Sequence, residues 1–376
     1  MTVQEELLRE AALPNQAALD WVADGREAVG TVCCYVPEEL LHAAGLLPIR
    51  LRATGTEDDS TGKAYMSTYS CSYAHSSLQK LLEGTYDFLS GVVSSDGCLM
   101  AERIYDNWRY AGDSEGRFQH LVNVPRKREQ ASLEWLREEF ANLKTALEER
   151  TGKTITDDDL RASIELYNET RRLIRDLYEL QRDGAIYIKG SEVMRIVLAA
   201  MSMPKEQFNE LLAKRLDELK AQGPLDSDNV RVVFIGSALD DPEYLEIIEE
   251  SGADVVMDMQ CFGSRYLWEP VSTEGDLLAN LAETHLDRPT CPRMMDSHEK
   301  LYEFVEDAVR DYRADGVIQV TMRYCDLWNG ERLIFGKRFK EKGIPVLMLE
   351  REEVASNAGQ LAVRVEAFVE MLEEEE

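Results

Sequence analysis

The sequence predicts an α/β protein with two doubly wound lobes, each built on a small parallel sheet, and a helical segment between them. Three observations carry this. Short β-branched apolar runs alternate with amphipathic helical stretches in the first third of the chain, and the same alternation returns in the last third. Between them the periodicity becomes helical throughout, with dense charge. A chain of 376 residues has room for two domains and a sizeable core.

Taken in order, the first third reads as strand 28–35, helix 37–44, strand 47–52, helix 76–82, strand 88–94, helix 97–108 and strand 118–124, after an N-terminal helix. This is βαβ grammar, which implies a parallel sheet covered on both faces. Residues 126–223 read as three or four helices. Asp157–Asp159 are placed to cap one of them, and Gly152 and Gly184 lie just past helix ends. Gly223-Pro224, followed by small and acidic residues, marks a linker over 222–228. The last third reads as strand 230–235, helix 242–251, strand 254–259, helices 276–285 and 297–312, strand 317–322, helix 330–342, strand 345–349 and a closing helix over 359–372. The expected organisation is a first lobe over 1–125, a helical segment over 126–223 and a second lobe over 229–376.

With 42 Lys+Arg against 71 Asp+Glu, the net charge of −29 disfavours sequence-independent binding to nucleic acid or to an anionic membrane. No apolar run reaches the ~20 residues a spanning helix needs. The N-terminus is acidic where a signal peptide is basic, so the expected location is the cytoplasm. Seven cysteines in a reducing compartment are expected to stay free, as core residues or metal ligands.

The cysteines are unevenly placed. Cys34 lies at the end of an expected strand, Cys98, Cys261 and Cys325 come within a few residues after theirs, and Cys71 and Cys291 fall in loops of the same lobes. Ligands of open parallel sheets bind beyond the carboxyl ends of the strands, so these thiols are expected to gather at one cleft. Any one of them taken alone is a packing residue. Cys33 is assigned to packing, because strand alternation turns it away from Cys34. No CxxC pair declares a zinc site, whereas thiolates from separated loops suit an iron–sulfur cluster; spacing alone leaves zinc, iron–sulfur and no metal open.

Six ordered segments carry a resemblance: GTVCCYVPEELLHAAGLLPIRLRATG at 30–55, YSCSYAHSSLQKLLEGTYDFLSGVVSSDGC at 69–98, CFGSRYLWEPV at 261–271, CPRM at 291–294, DGVIQVTMRYCD at 315–326, and GIPVLMLEREE with GQLAVRVEAF near the C-terminus. Together they resemble the 2-hydroxyacyl-CoA dehydratase and benzoyl-CoA reductase family. The resemblance implies an iron–sulfur subunit holding a 4Fe-4S cluster through Cys71, Cys98 and Cys325. It also implies a related iron–sulfur subunit as partner, a separate ATP-hydrolysing activator supplying single electrons, and an acyl-CoA substrate. Such enzymes either dehydrate a 2-hydroxyacyl-CoA through a ketyl radical or reduce an aromatic ring, and the CFGSRYLWEP and CPRM segments resemble the aromatic reductases more closely. A third branch holds a double-cubane (8Fe) cluster with six cysteines, here Cys34, Cys71, Cys98, Cys261, Cys291 and Cys325. The remaining alternative is a relay subunit that passes electrons to a substrate-binding partner.

Other residues are weighed beside these. Glu39 is the candidate catalytic carboxylate, provided burial raises its pKa; Glu38 reads as helix-start electrostatics. Arg265 and Tyr266 either bind a thioester oxygen or pair with neighbours. Arg50 with Arg52, or Arg126-Lys127-Arg128, is the basic patch that a CoA ester requires. His75 and His298 read as ordinary satisfied histidines. No phosphate-binding G-x-x-x-x-G-K-[ST] loop is present, so ATP hydrolysis is assigned to a partner, and Gly236-Ser237-Ala238 makes no dinucleotide fingerprint.

Overall fold

The computed structural model describes residues 2–111, 116–288, 291–354 and 358–374. In chain order the first part contains α1 (Val3–Glu10), α2 (Gln16–Ala23), β1 (Ala28–Val32), α3 (Glu38–Ala43), β2 (Leu47–Arg50), α4 (Ser60–Ala64), α5 (Ser72–Leu82), β3 (Gly91–Ser95), α6 (Leu99–Ala111) and β4 (Phe118–Val122). Helices α7 (Gln130–Thr151), α8 (Asp157–Glu179), α9 (Gly190–Ala200) and α10 (Lys205–Gln222) follow. The last part contains β5 (Val230–Gly236), α11 (Pro242–Glu250), β6 (Ala253–Met259), α12 (Leu277–Asp287), α13 (His298–Asp311), β7 (Gly316–Met322), α14 (Asp326–Glu341), β8 (Val346–Arg351) and α15 (Ala358–Glu374).

Both sheets are parallel and have four strands, in the equivalent orders β2-β1-β3-β4 and β6-β5-β7-β8. The α/β reading with two small doubly wound sheets therefore holds. Strands β1, β3, β6 and β7 are buried along their whole length, as strands covered on both faces must be, whereas β4 and β8 at the sheet edges are mostly half-buried. In each sheet the chain leaves its first strand to one side and later returns on the other. The crevices between β1 and β3 and between β5 and β7 are thus the switch points where doubly wound folds bind ligands.

The helices of the middle segment divide between the sheets. Leu136, Phe140, Leu143 and Leu147 form one stripe of α7, packed beneath the first sheet against Leu277, Leu281 and Leu286 of α12. Each such buried side chain contributes roughly 1.5–3 kcal/mol. Helix α12 comes from the last third of the chain and crosses back onto the first sheet, its His285 ring standing 5.3 Å from Phe140. Helix α9 packs on the second sheet, so closely that a Cβ on Gly190 would meet the Val255 carbonyl at 2.6 Å.

Four local expectations are corrected. β1 ends at Val32 rather than Tyr35, because Cys33 takes a left-handed φ of 73° and turns the chain out of the sheet. Helices α5 and α14 begin at Ser72 and Asp326, not 76 and 330, so Cys71 and Cys325 are the residues that start them. α8 is capped by Thr156, which closes a capping box with Asp159. Two helices, not one, precede β1.

Candidate functional site: a cavity ringed by cysteines

The ends of both sheets converge on a cavity of about 110 Å³. Six cysteines line it: Cys33, Cys71, Cys98, Cys261, Cys291 and Cys325. Phe262, Met322 and Trp328 form much of the remaining wall.

Cys71, Cys98 and Cys325 share one local design. Each immediately precedes a helix, α5, α6 and α14 respectively. The Ala101 amide donates to Cys98 Sγ at 3.4 Å, and the amides of Ala74 and of Leu327 and Trp328 stand in the equivalent places by Cys71 and Cys325. Burial pushes all three thiols up, Cys325 to about 12, and the helix-start amides oppose the rise. Tyr324, directly before Cys325, is left-handed with φ 63°, so a residue preceding a helix in each sheet's crevice, Cys33 in the first and Tyr324 in the second, carries an uncommon backbone conformation.

The other thiols are built differently. Cys34 is buried behind the wall, hydrogen-bonded to Cys261 and Cys33; these bonds, with the charges of Arg265 and Arg288, hold its pKa well below the ordinary thiol value. Arg265 Nη1 donates to Cys261 Sγ at 3.0 Å from a fully buried position. Cys33 therefore belongs to the cavity and Cys34 lies behind it. This corrects the strand-alternation argument, which fails because neither residue is in the strand. Gly97 makes room for it: a Cβ there would overlap the Cys33 sulfur. That glycine, next to Cys98, was the available sequence signal.

Arg50 is buried in the same wall at the end of β2, with Nε and Nη1 lacking hydrogen-bond partners and its charge facing Cys34, Cys33 and Cys261. It is placed to meet an anion inside the cavity. Arg52 is also buried, its Nη1 donating to the Ala11 carbonyl, and Arg128 pairs with Glu283 at 3.1 Å and with Asp287. Arg52 is therefore held inside the lobe, and Arg128 is engaged by two acids.

Glu39 does not line the cavity. It forms a buried ion pair with Arg171; burial raises its pKa, but Arg171 and His285 outweigh that and hold it below the usual carboxylate value. The expected rise falls on Glu38 instead, where burial outweighs Lys205, 3.7 Å away, and the hydroxyl of Tyr266, which donates to the Glu38 carboxylate. Glu38 in turn lies within reach of the Arg50 charge. Sequence reasoning passed over Glu38 because a glutamate in a first helical turn has an ordinary explanation. His75 is buried against the Ser67 carbonyl, and His298 pairs with Glu331 at 2.7 Å.

The soft thiol donors around the cavity are of the type that an iron–sulfur cluster takes. Among the described residues no three His, Cys, Asp or Glu side chains converge as ligands of one ion would. The thiols instead ring a space, as the separate iron corners of a cluster require. Three of them have helix-start amides to stabilise bound sulfur, and aromatic and thioether side chains keep the surroundings dry.

Comparison with known proteins concerns the chain as a whole. The profile of the family described as 2-hydroxyglutaryl-CoA dehydratase, D-component, matches residues 33–372, from the first cavity cysteine to the closing helix. The chain belongs to this family. It is 30% identical over 353 residues to a benzoyl-CoA reductase subunit of Thauera aromatica, covering 92% of this chain and 90% of that protein. It is 28% identical over 350 residues to the (R)-phenyllactyl-CoA dehydratase beta subunit of Clostridium sporogenes, covering 93% and 92%. Against the lactoyl-CoA dehydratase beta subunit of Anaerotignum propionicum the identity is 29% over 372 residues, 98% of both chains. Membership of this dehydratase and reductase family supports an enzymatic activity, and each of these three relatives is itself named as a subunit. Among the described residues no helix is long and apolar enough to cross a membrane.

Proposed function

We propose that this chain is the 4Fe-4S subunit of an acyl-CoA reductase or dehydratase, with Cys71, Cys98 and Cys325 as the cluster's ligands and a separate ATP-hydrolysing activator as the electron source. The single observation that carries the reading is that these three cysteines, drawn from both lobes, each start a helix and face one cavity. When bound, such a cluster supplies low-potential single-electron transfer.

The chain's own residues do the rest. Arg50 offsets negative charge at the cavity wall. Phe262, Met322 and Trp328 exclude water, which strengthens every charge interaction inside. Glu38, held by Tyr266 and with its pKa raised by burial, lies within reach of the Arg50 charge and is the candidate proton donor for reduction or for loss of water. Ring reduction of an aromatic acyl-CoA is the preferred reaction, and the benzoyl-CoA reductase subunit among the relatives supports it.

The small cavity favours a second reading, in which this subunit relays electrons and its partner holds the acyl group: about 110 Å³ has room for several waters or one compact group. Anaerobic iron and sulfide analysis with EPR tests both. About four irons per chain and an EPR signal perturbed by an acyl-CoA support the first reading. The same signal without ester affinity supports the relay, and about eight irons the double-cubane branch. Stoichiometric zinc in iron-replete anaerobic preparations sinks the proposal.

A further inference from the structure

Outside the cavity, the junction between the lobes is closed by two acids. Asp240, just beyond β5, is fully buried. Its Oδ2 accepts the backbone amides of Ala53 and of Thr54, the latter at 3.1 Å, and the Thr54 hydroxyl donates to its carbonyl. The first lobe's segment after β2 is thereby tied to the second sheet. Asp240 Oδ1 is buried with no donor among the described residues. It shares a side-chain hydrogen bond with Glu353, beyond β8, whose side chain is only 3% exposed. The Glu353 amide donates to Ser72 Oγ at 2.7 Å, tying α5 to the same point. Two carboxylates hydrogen-bond only if one carries a proton.

We propose that Glu353 carries a proton in the folded protein and donates it to the Asp240 carboxylate, forming a clasp that holds the first lobe's Ala53–Thr54 segment and α5 against the second sheet and loosens when the proton leaves. The charges facing it are Arg351, 2.9 Å from Glu353, and Asp241 from the second lobe; Arg52 and the hydroxyls of Tyr73 and Tyr86 from the first; and the Cys71 thiol, which acts on Glu353 through space. Burial first, and then the neighbouring acids against Arg351, push Glu353 up to about 8. In the unfolded chain the group titrates near its ordinary value of 4.5. The folded state therefore binds the extra proton between these values, and the clasp's stabilisation is present below about 4.5 and lost as pH rises to about 8.

Glu353→Gln keeps a donor for Asp240 Oδ1 and cannot titrate. In the full chain, its melting temperature relative to wild type is expected to rise by a few degrees from pH 5.5 to pH 8.5. The infrared difference between the two at pH 7 is expected to show a protonated-carboxyl band in wild type alone. Asp240→Asn, whose amide donates to an ionised Glu353, should remove that band and flatten the pH dependence too, which keeps the test open if Glu353→Gln folds poorly. A melting difference constant across pH, or no carboxyl band lost in either variant, overturns the proposal.

Discussion

Two groups of thiols share one cavity and differ in what surrounds them. Cys71, Cys98 and Cys325 each begin a helix, and the donors beside their sulfurs are backbone amides. Cys33, Cys34 and Cys261 lie beside or behind the same wall, bonded to one another and to Arg265. Amides at a helix start are fixed by the helix itself and cost nothing further to orient, whereas guanidinium and thiol donors sit on side chains that must be held by packing. The first environment leaves its sulfurs facing the cavity with only backbone donors beside them. The second already satisfies its thiols from within the protein.

The largest effect should come from breaking the first group. Cys325→Ala is expected to reduce iron from about four per chain to near zero and abolish turnover, while Cys33→Ala retains the iron, as measured by anaerobic metal analysis. Equal loss in both would erase the distinction between the groups.

Next comes the carboxylate pair on α3. Glu38→Gln should lower turnover by about 100-fold with iron unchanged. Its pKa is raised, so in wild type the protonated acid and the rate should decline as pH rises through that value, and this limb should be absent from the variant's pH profile. Glu39→Gln should act on stability instead, since it leaves Arg171 buried and unpaired at a cost of about 3–5 kcal/mol. A pH limb lost in Glu39→Gln instead would reverse the two roles.

Arg265→Gln sharpens the second group. Removing the charged donor to Cys261 should cost about 1.5–3 kcal/mol in a denaturant titration and leave iron content intact. Loss of iron would show that the second group also holds the cluster. Thr156→Ala, which opens the capping box of α8 and touches no cavity-lining residue, should cost about 1 kcal/mol in the same titration and leave iron content and pH profile unchanged.

How much of this was legible in sequence can be read from particular residues. The strand runs showed their type because strands buried on both faces are apolar throughout, as Val29, Val93 and Val317 illustrate. Cys71, Cys98 and Cys325 stood out through the motifs around them. The helix starts at Ser72 and Asp326 did not, because cysteine is no customary N-cap and Gly330 in the middle of α14 looked like a boundary.

The sequence by itself determined the alternation of strands and helices, the acidic surface and the free cysteines, since each depends on local composition and spacing. Only the tertiary structure decided that Cys33 rather than Cys34 faces the cavity, because one left-handed residue ends strand alternation. It alone returned α12 to the first sheet, and it alone divided Glu38 from Glu39. Those two neighbours carry the same side chain; Arg171 on α8 waits for one, and Tyr266 with Lys205 waits for the other. A carboxylate's pKa is set by what packs against it, and partners more than a hundred residues away in the chain leave no mark on the local sequence.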